Sequence, residues 1–307
     1  MTWRVLIPDG LASTGVSILQ QEAEVVDSGL EEELGNVDAL IVRSRTLVDR
    51  DVIERGRPRL KVVGRAGVGV DNIDLNAAEE QGVTVINAPQ STSISVAEHT
   101  LALILAIARQ LTQADASMRR GEWEKSGFVG HEVRGKTLGL IGIGRIGMLV
   151  AERAAAFGMN VLAYDPGQSK QTISERGAES VPLDILLQRS DVISLHVPLT
   201  EGTANLIDRN ALAQLKPGAW VICTSRGGIV DEEALLAALK SGKLGGAALD
   251  VFEHEPLQSS ELREQPNLIL TPHIAGQTYE AQARVAEDIA HEVLSVLRGE
   301  APRWRVI

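Results

Sequence analysis

The sequence predicts an α/β protein of two units, each built on a mainly parallel sheet. Three observations carry that reading. Short apolar runs alternate with helix-like stretches almost throughout. One long stretch without Gly or Pro separates two such series. A glycine-rich turn follows the first strand of the second series. The length of 307 residues suits two domains of about 150 residues each.

In the first series, Arg4–Ile7, Ala39–Val42, Lys61–Val63 and Val83–Ile86 read as buried strands. Asp49–Arg55 and Leu75–Gln81 lie between them with helical spacing. Ser95 to Arg120 carries Val96, Leu101, Leu105, Ala108 and Leu111 at helical spacing, which predicts one connecting helix ended by Gly121. In the second series, strands are expected at Leu138–Ile141, Asn160–Ala163, Val192–Leu195, Ala219–Cys223, Gly246–Leu249 and Leu268–Leu270. A last helix is expected from Thr278 to Leu297.

Composition narrows the function. The chain has 41 acidic and 30 basic residues, a formal charge of −11. Such a surface disfavours nucleic acid and anionic membranes, while a local basic pocket can still bind an anionic metabolite. Aromatic residues are only 3%, too few for base-stacking platforms. Cys223 is the only cysteine, which excludes an intrachain disulfide and a multi-cysteine zinc site, and no residue is assigned to a metal. Near the start, the apolar run Val5-Leu6-Ile7 is followed by Pro8 and Asp9. A secretory segment needs roughly 7–15 apolar residues, so the chain reads as cytoplasmic.

The run Leu138–Gly147 fits strand, Gly-x-Gly-x-x-Gly, then helix. Gly142 permits the tight turn, Gly144 lets the backbone approach a pyrophosphate, and Gly147 lets the helix pack close to the strand. A second strand ends in Asp165, 18 residues after Gly147. A carboxylate there accepts hydrogen bonds from ribose hydroxyls and repels a 2′-phosphate, which favours NAD over NADP. Lys170 is the nearest cation in sequence that could soften this preference.

Three later segments end strands with chemically useful residues. They are Cys223–Gly228 with Arg226, Leu249–Pro256 with Glu255, and Leu270–Gly276 with His273. Ligands of open α/β sheets bind beyond the carboxyl ends of strands, so the three can converge. An imidazole exchanges the proton of an alcohol during hydride transfer. A carboxylate beside it fixes its orientation and stabilises its charged form. A guanidinium grips a substrate carboxylate in a two-pronged hydrogen bond. Each residue alone has a plainer reading: a structural histidine, a solvated loop acid, a surface ion pair. His254 rivals His273 but reads as a solvated loop residue. His99 fits a core or hinge position, while His131, His196 and His291 read as structural. Cys223 reads as a small buried strand residue.

Longer motifs add a resemblance. Gly64–Ile73 (GRAGVGVDNI), Val42–Thr46 (VRSRT), Ser95–Thr100 (SVAEHT), Ser225–Glu232 (SRGGIVDE), Ala248–Phe252 with Glu255-Pro256, and Thr271-Pro272-His273 resemble the D-isomer-specific 2-hydroxyacid dehydrogenases, and within them the phosphoglycerate dehydrogenases. The likeness runs from about residue 3 to 299. It implies a Rossmann NAD-binding domain, residues 95–275, inserted into a flavodoxin-like substrate domain made of residues 1–94 and 276–307. It implies that Arg226, Glu255 and His273 form the catalytic trio. It implies that Asp250 holds the nicotinamide carboxamide and that cofactor contacts also come from Arg145, Ile146, Pro198, Thr203, Thr224, His273 and Gly276. On the substrate side it implies the backbone at Val68 and Gly69, with Arg43, Ser44, Arg65 and Arg226.

The expected activity is NAD-dependent oxidation of a small anionic D-2-hydroxyacid, D-3-phosphoglycerate to 3-phosphohydroxypyruvate, at the entry to serine synthesis. The runner-up is a glyoxylate/hydroxypyruvate or other 2-oxoacid reductase. A non-catalytic NAD(H)-sensing protein is the rival of another class. The resemblance also implies a homodimer through the connecting helix and its loop, with Arg119 and Arg120 close to that loop. The sequence stops at Ile307, so no C-terminal regulatory domain is expected. Two loops depart from the family pattern. Gln90-Ser91-Thr92-Ser93 follows Asn87-Ala88-Pro89 where Gly-Asn-Ser is usual, and Ala275-Gly276-Gln277-Thr278 stands where Gly-Ala-Ser-Thr or Gly-Gly-Ser-Thr is usual.

Overall fold

The computed structural model describes residues 2–27, 29–258 and 260–307. The chain forms two compact units, Met1–Ser93 with Gly276–Ile307, and Ile94–Ala275.

The first unit alternates β1 (Trp3–Leu6), α1 (Ser13–Leu19), β2 (Ala23–Val26), α2 (Leu30–Glu33), β3 (Ala39–Val42), α3 (Arg50–Gly56), β4 (Val62–Arg65), α4 (Leu75–Glu80) and β5 (Thr84–Asn87). Its five strands are all parallel in the order β2-β1-β3-β4-β5. That is the flavodoxin-like order. β3 is buried along its whole length, as its unbroken apolar run requires of a central parallel strand. The helix starts are capped where the sequence supplies acids: Asp49 accepts from Val52 N and Asp74 from Ala77 N.

The second unit holds α5 (Ser93–Ala108), α6 (Leu111–Arg119), β6 (Thr137–Ile141), α7 (Arg145–Ala156), β7 (Asn160–Tyr164), α8 (Lys170–Glu175), β8 (Glu179–Ser180), α9 (Leu183–Arg189), β9 (Val192–Leu195), α10 (Arg209–Gln214), β10 (Ala219–Cys223), α11 (Glu232–Lys240), β11 (Leu244–Leu249) and β12 (Leu268–Leu270). Its seven parallel strands run β12-β11-β10-β9-β6-β7-β8. The order reverses between β6 and β9, which is where doubly wound sheets open a crevice for a dinucleotide. The chain then returns to the first unit through α12 (Tyr279–Leu297), capped by Thr278. α12 packs tightly on β4, where a side chain at Gly64 would meet Val293 at 2.9 Å.

The single helix expected over 95–120 is corrected to two, bent by 65° at Arg109-Gln110. The cause is the loop 129–131. His131 N donates to Ala108 O at 2.7 Å, taking the carbonyl that a continued helix would use. Gln110 adopts a left-handed conformation (φ 50°) and its amide donates to Val129 O at 3.2 Å. Neither contact is local in sequence. Among the described residues no single helix is long and apolar enough to cross a membrane; α5 and α6 reach that length only as a bent pair.

Candidate active site

The glycine turn after β6 is built as a cradle. Gly142 has φ +89° and a side chain there would lie 2.6 Å from the His196 carbonyl, so both sterics and φ demand glycine. A side chain at Gly147 would strike the Gly142 carbonyl, which is how α7 comes to sit against the turn. Gly144 caps α7, and nothing lies within 4 Å of where its side chain would be. That open space faces the first turn of a twelve-residue helix, with Arg145 exposed and Ile146 half-buried. The free N–H groups and dipole of such a turn attract a pyrophosphate. The residues present therefore fit a dinucleotide.

Asp165, just beyond β7, closes one side. One carboxylate oxygen accepts from Ile143 N and the other from Gly167 N, both at 3.0 Å. Thr203 and Pro198 are tied in one loop, since Thr203 Oγ1 donates to Pro198 O at 2.6 Å. Thr224 is buried, its hydroxyl 3.0 Å from that of Thr100. Gly276 belongs to the other unit, where it lies against Thr92.

The loops beyond β10, β11 and β12 bring Arg226, Glu255 and His273 together. His273 Nδ1 and Glu255 Oε2 are 2.8 Å apart, and Glu255 Oε1 accepts from Phe252 N at 3.1 Å. Burial pushes the Glu255 carboxyl up. The His273 hydrogen bond and charge, the Phe252 N–H and the Arg226 charge outweigh this and hold it below its ordinary value. The Arg226 loop abuts the Glu255 loop so closely that a side chain at Gly227 would collide with the Phe252 carbonyl. His273 is 46% exposed and Glu255 36% by side chain, so the pair is open to a ligand. His254 is exposed, with no ion-pair partner among the described residues.

Asp250 does something the sequence did not indicate. Its side chain is fully buried. Oδ1 accepts from Thr271 Oγ1 at 2.6 Å and Ile274 N at 2.9 Å, while Oδ2 accepts from Ala275 N at 2.9 Å. The Asp250 carbonyl also accepts from His273 N at 2.9 Å. One aspartate thus pins both flanks of the histidine loop and holds His273 in a left-handed conformation (φ 53°). Such a conformation in a non-glycine residue is strained and needs surrounding bonds to persist. His99 joins this network, with Nε2 3.2 Å from Thr271 Oγ1. The Ser95–Thr100 motif pointed to this helix but gave His99 no partner.

In the first unit, Arg43, Arg65 and Asn87 lie at the carboxyl ends of β3, β4 and β5. Arg43 Nη2 donates to Gln277 Oε1 at 3.0 Å and Arg65 Nη1 to Ala66 O at 2.7 Å. Ser44 and Val68 are exposed and Gly69 half-buried; Asn87 donates to Val68 O at 2.7 Å. The organiser of this rim is Asp9, which sequence reasoning passed over. It accepts from Arg43 N at 2.7 Å, Thr46 Oγ1 at 2.7 Å and Thr46 N at 3.1 Å. Burial pushes Asp9 up, but these bonds and Arg45 outweigh it and lower its pKa.

His196, after β9, is a buried histidine beneath the glycine turn. Nε2 is 2.9 Å from Ser194 Oγ, and Nδ1 is sealed from solvent without a hydrogen-bond partner. Burial pushes the imidazole down to about 4. An unfolded histidine takes up its proton near pH 6.5, whereas the folded one resists until about 4. Stability is therefore whole above pH 6.5 and falls as pH drops toward 4, by at most about 3 kcal/mol. Urea denaturation should show wild type losing more stability between pH 6.5 and 4.5 than His196→Asn; equal losses would contradict this account.

The fold and the glycine cradle define a dinucleotide-binding protein. Residues 101–275 match the family model described as D-isomer specific 2-hydroxyacid dehydrogenase, NAD binding domain. The chain belongs to the D-isomer specific 2-hydroxyacid dehydrogenase family. It is 47% identical to a D-3-phosphoglycerate dehydrogenase of Synechocystis over 99% of this chain and 56% of that protein. It is 48% identical to one of Methanocaldococcus jannaschii over 97% of this chain and 58% of that protein. The chain thus spans a little over half the length of these curated relatives. Among solved structures, the TT0316 protein of Thermus thermophilus superposes with TM-score 0.90 at 37% identity, covering 99% of this chain and 100% of that one. A glyoxylate reductase of Paecilomyes thermophila gives TM-score 0.89 at 31% identity, covering 99% and 98%.

Proposed function

We propose that the chain oxidises D-3-phosphoglycerate to 3-phosphohydroxypyruvate with NAD. The observation that carries the chemistry is the 2.8 Å pair of His273 and Glu255, with the Arg226 charge felt at Glu255. Bound NAD supplies the acceptor for the hydride leaving C2. His273 Nε2, the nitrogen not facing Glu255, takes the hydroxyl proton as that hydride leaves. Glu255 fixes the ring and stabilises the imidazolium that results. Arg226 grips the substrate carboxylate and polarises the reacting oxygen. Gly142, Gly144, Arg145, Ile146 and Gly147 receive the pyrophosphate and Asp165 the adenosine ribose, in the NAD-binding unit. The other unit is the substrate unit, with the backbone at Val68 and Gly69 receiving the carboxylate and Arg43 and Arg65 the phosphate.

The phosphate assignment rests on the 44–48% identity to proteins named D-3-phosphoglycerate dehydrogenase and on the two arginines at one sheet edge. The test is a steady-state comparison of D-3-phosphoglycerate, D-glycerate and D-lactate at saturating NAD. A preference of a hundredfold or more in kcat/KM for the phosphorylated acid, about 2.7 kcal/mol, supports it. Arg43→Ala is then expected to raise KM for phosphoglycerate by about tenfold, a charge-assisted bond's worth, and to leave D-glycerate within about twofold. Preference for unphosphorylated acids would move the chain to the 2-oxoacid reductases. No turnover with any of them would favour an NAD(H) sensor.

The same reading includes a cytoplasmic homodimer. Leu111 and Met118 of α6 and Trp123 and Val129 of the following loop expose 60%, 53%, 81% and 77% of their surface. Large apolar side chains exposed on one helix and the loop that follows it suit burial against a second copy. Sedimentation equilibrium of the purified chain decides it; a monomer at micromolar concentration would refute it.

A further inference from the structure

We propose that Arg176 is a latent determinant of cofactor choice, a cation held beside the adenosine-ribose subsite whose effect Asp165 masks. The proposal rests on the NAD reading of that subsite. Its basis is one residue, Ile143, between Gly142 and Gly144 of the cradle. The Ile143 N–H donates to Asp165 Oδ2 at 3.0 Å, and the Ile143 carbonyl accepts a bond from Arg176 Nη1. A carboxylate and a guanidinium bonded to opposite ends of one residue stand no more than about 9 Å apart.

Arg176 directly follows α8 and is half-buried. Among the described residues its side chain makes no ion pair, and the one hydrogen bond of its guanidinium is to that carbonyl. A guanidinium has five N–H donors, so most remain available to an anion. The sequence suggested Lys170 as the cation near this subsite. Lys170 is exposed, and it is Arg176 that touches the glycine turn.

The two side chains act oppositely on a 2′-phosphate. Asp165 accepts from a ribose 2′-hydroxyl and repels a phosphate there. Arg176 is indifferent to the hydroxyl and attracts the phosphate. With Asp165 present the repulsion dominates, because the carboxylate lies where the 2′ substituent must go. With Asp165 neutralised, Arg176 supplies the recognition without any further change. A single substitution should therefore open the subsite to NADPH, and a second should close it.

The experiment titrates wild type, Asp165→Asn, Arg176→Gln and the double variant with NADH and NADPH, following nicotinamide fluorescence. Asp165→Asn removes the charge and keeps an acceptor for the Ile143 N–H, giving up only the solvent-exposed bond from Gly167 N. It should bind NADPH at least about tenfold more tightly than wild type does. The double variant should lose most of that gain, and Asp165→Asn with Arg176→Lys should keep part of it. Arg176→Gln alone should leave NADH binding within about threefold. Adenosine 2′,5′-bisphosphate should follow NADPH across the series, with an affinity that falls as salt rises. Equal NADPH affinity in Asp165→Asn and the double variant overturns the proposal, as does no gain in Asp165→Asn. A wild type that binds neither dinucleotide overturns the NAD reading itself.

Discussion

Replacing His273 with asparagine is expected to lower kcat by about 10³-fold, within the range for a lost general base. NADH affinity should stay near that of wild type. Asparagine suits the test because it tolerates the left-handed backbone that position 273 adopts (φ 53°) better than alanine does. The loop's anchoring bonds run through the backbone and Asp250, not through the imidazole. The loop should therefore survive the change, and the loss should fall on the chemical step. Glu255→Gln is the companion. It can keep an acceptor for Nδ1 at the expense of the bond from Phe252 N, withdraws the charge, and should cost about 10²-fold, since the imidazolium then forms without a counter-charge.

The pH dependence of this pair has a definite sign. Glu255 is held below its ordinary value, so its favourable interactions are complete above the ordinary carboxylate range. They fade only as pH falls through the lowered value. Acid should therefore break the Glu255–His273 pair only below the pH at which a free glutamate protonates. Single-turnover rates with saturating substrate check all of this. A His273→Asn variant with wild-type turnover would remove the proton-transfer role.

How legible these parts were in the sequence follows from the range of the interactions involved. β9 and β10 read at their observed bounds because a central parallel strand is an unbroken apolar run. β2 was passed over because Glu24 interrupts it and its neighbours are charged, and β8 because it has two residues. The break at Gln110 depends on a loop twenty residues on, so the periodicity of 95–120 could not reveal it. The glycine turn was legible because strand, turn, helix and acid are consecutive. The convergence of Arg226, Glu255 and His273 followed from their places at neighbouring strand ends. The groups that brace the segments of each unit did not follow. Asp9, His99, Asp250 and Arg176 work through backbone atoms or hydroxyls of other segments, and such partners leave no spacing to read.

Asp250 carries the second large effect, and it separates two accounts of that residue. As a cofactor contact alone, its removal would weaken NADH binding and leave stability intact. As the anchor the geometry describes, its removal strands Ile274 N and Ala275 N and leaves Thr271 Oγ1 with His99 alone. Leaving buried donors without their charged acceptor costs about 3–5 kcal/mol. Asp250→Ala should thus lower Tm by about 10 °C in a unit of this size. Asp250→Asn should do little better. Whichever way the amide is turned, its NH2 faces a backbone N–H, at Ile274 or at Ala275, and donor meets donor. Both variants should also lose kcat, because Ile274 N and Ala275 N lose their charged anchor and the strained loop no longer fixes the imidazole toward Glu255. Thermal melts with NADH titrations on the same samples distinguish the accounts. A normal Tm with weakened NADH binding would make Asp250 a cofactor ligand and no anchor. A lowered Tm together with a fallen kcat would show that the histidine's position is maintained from beneath.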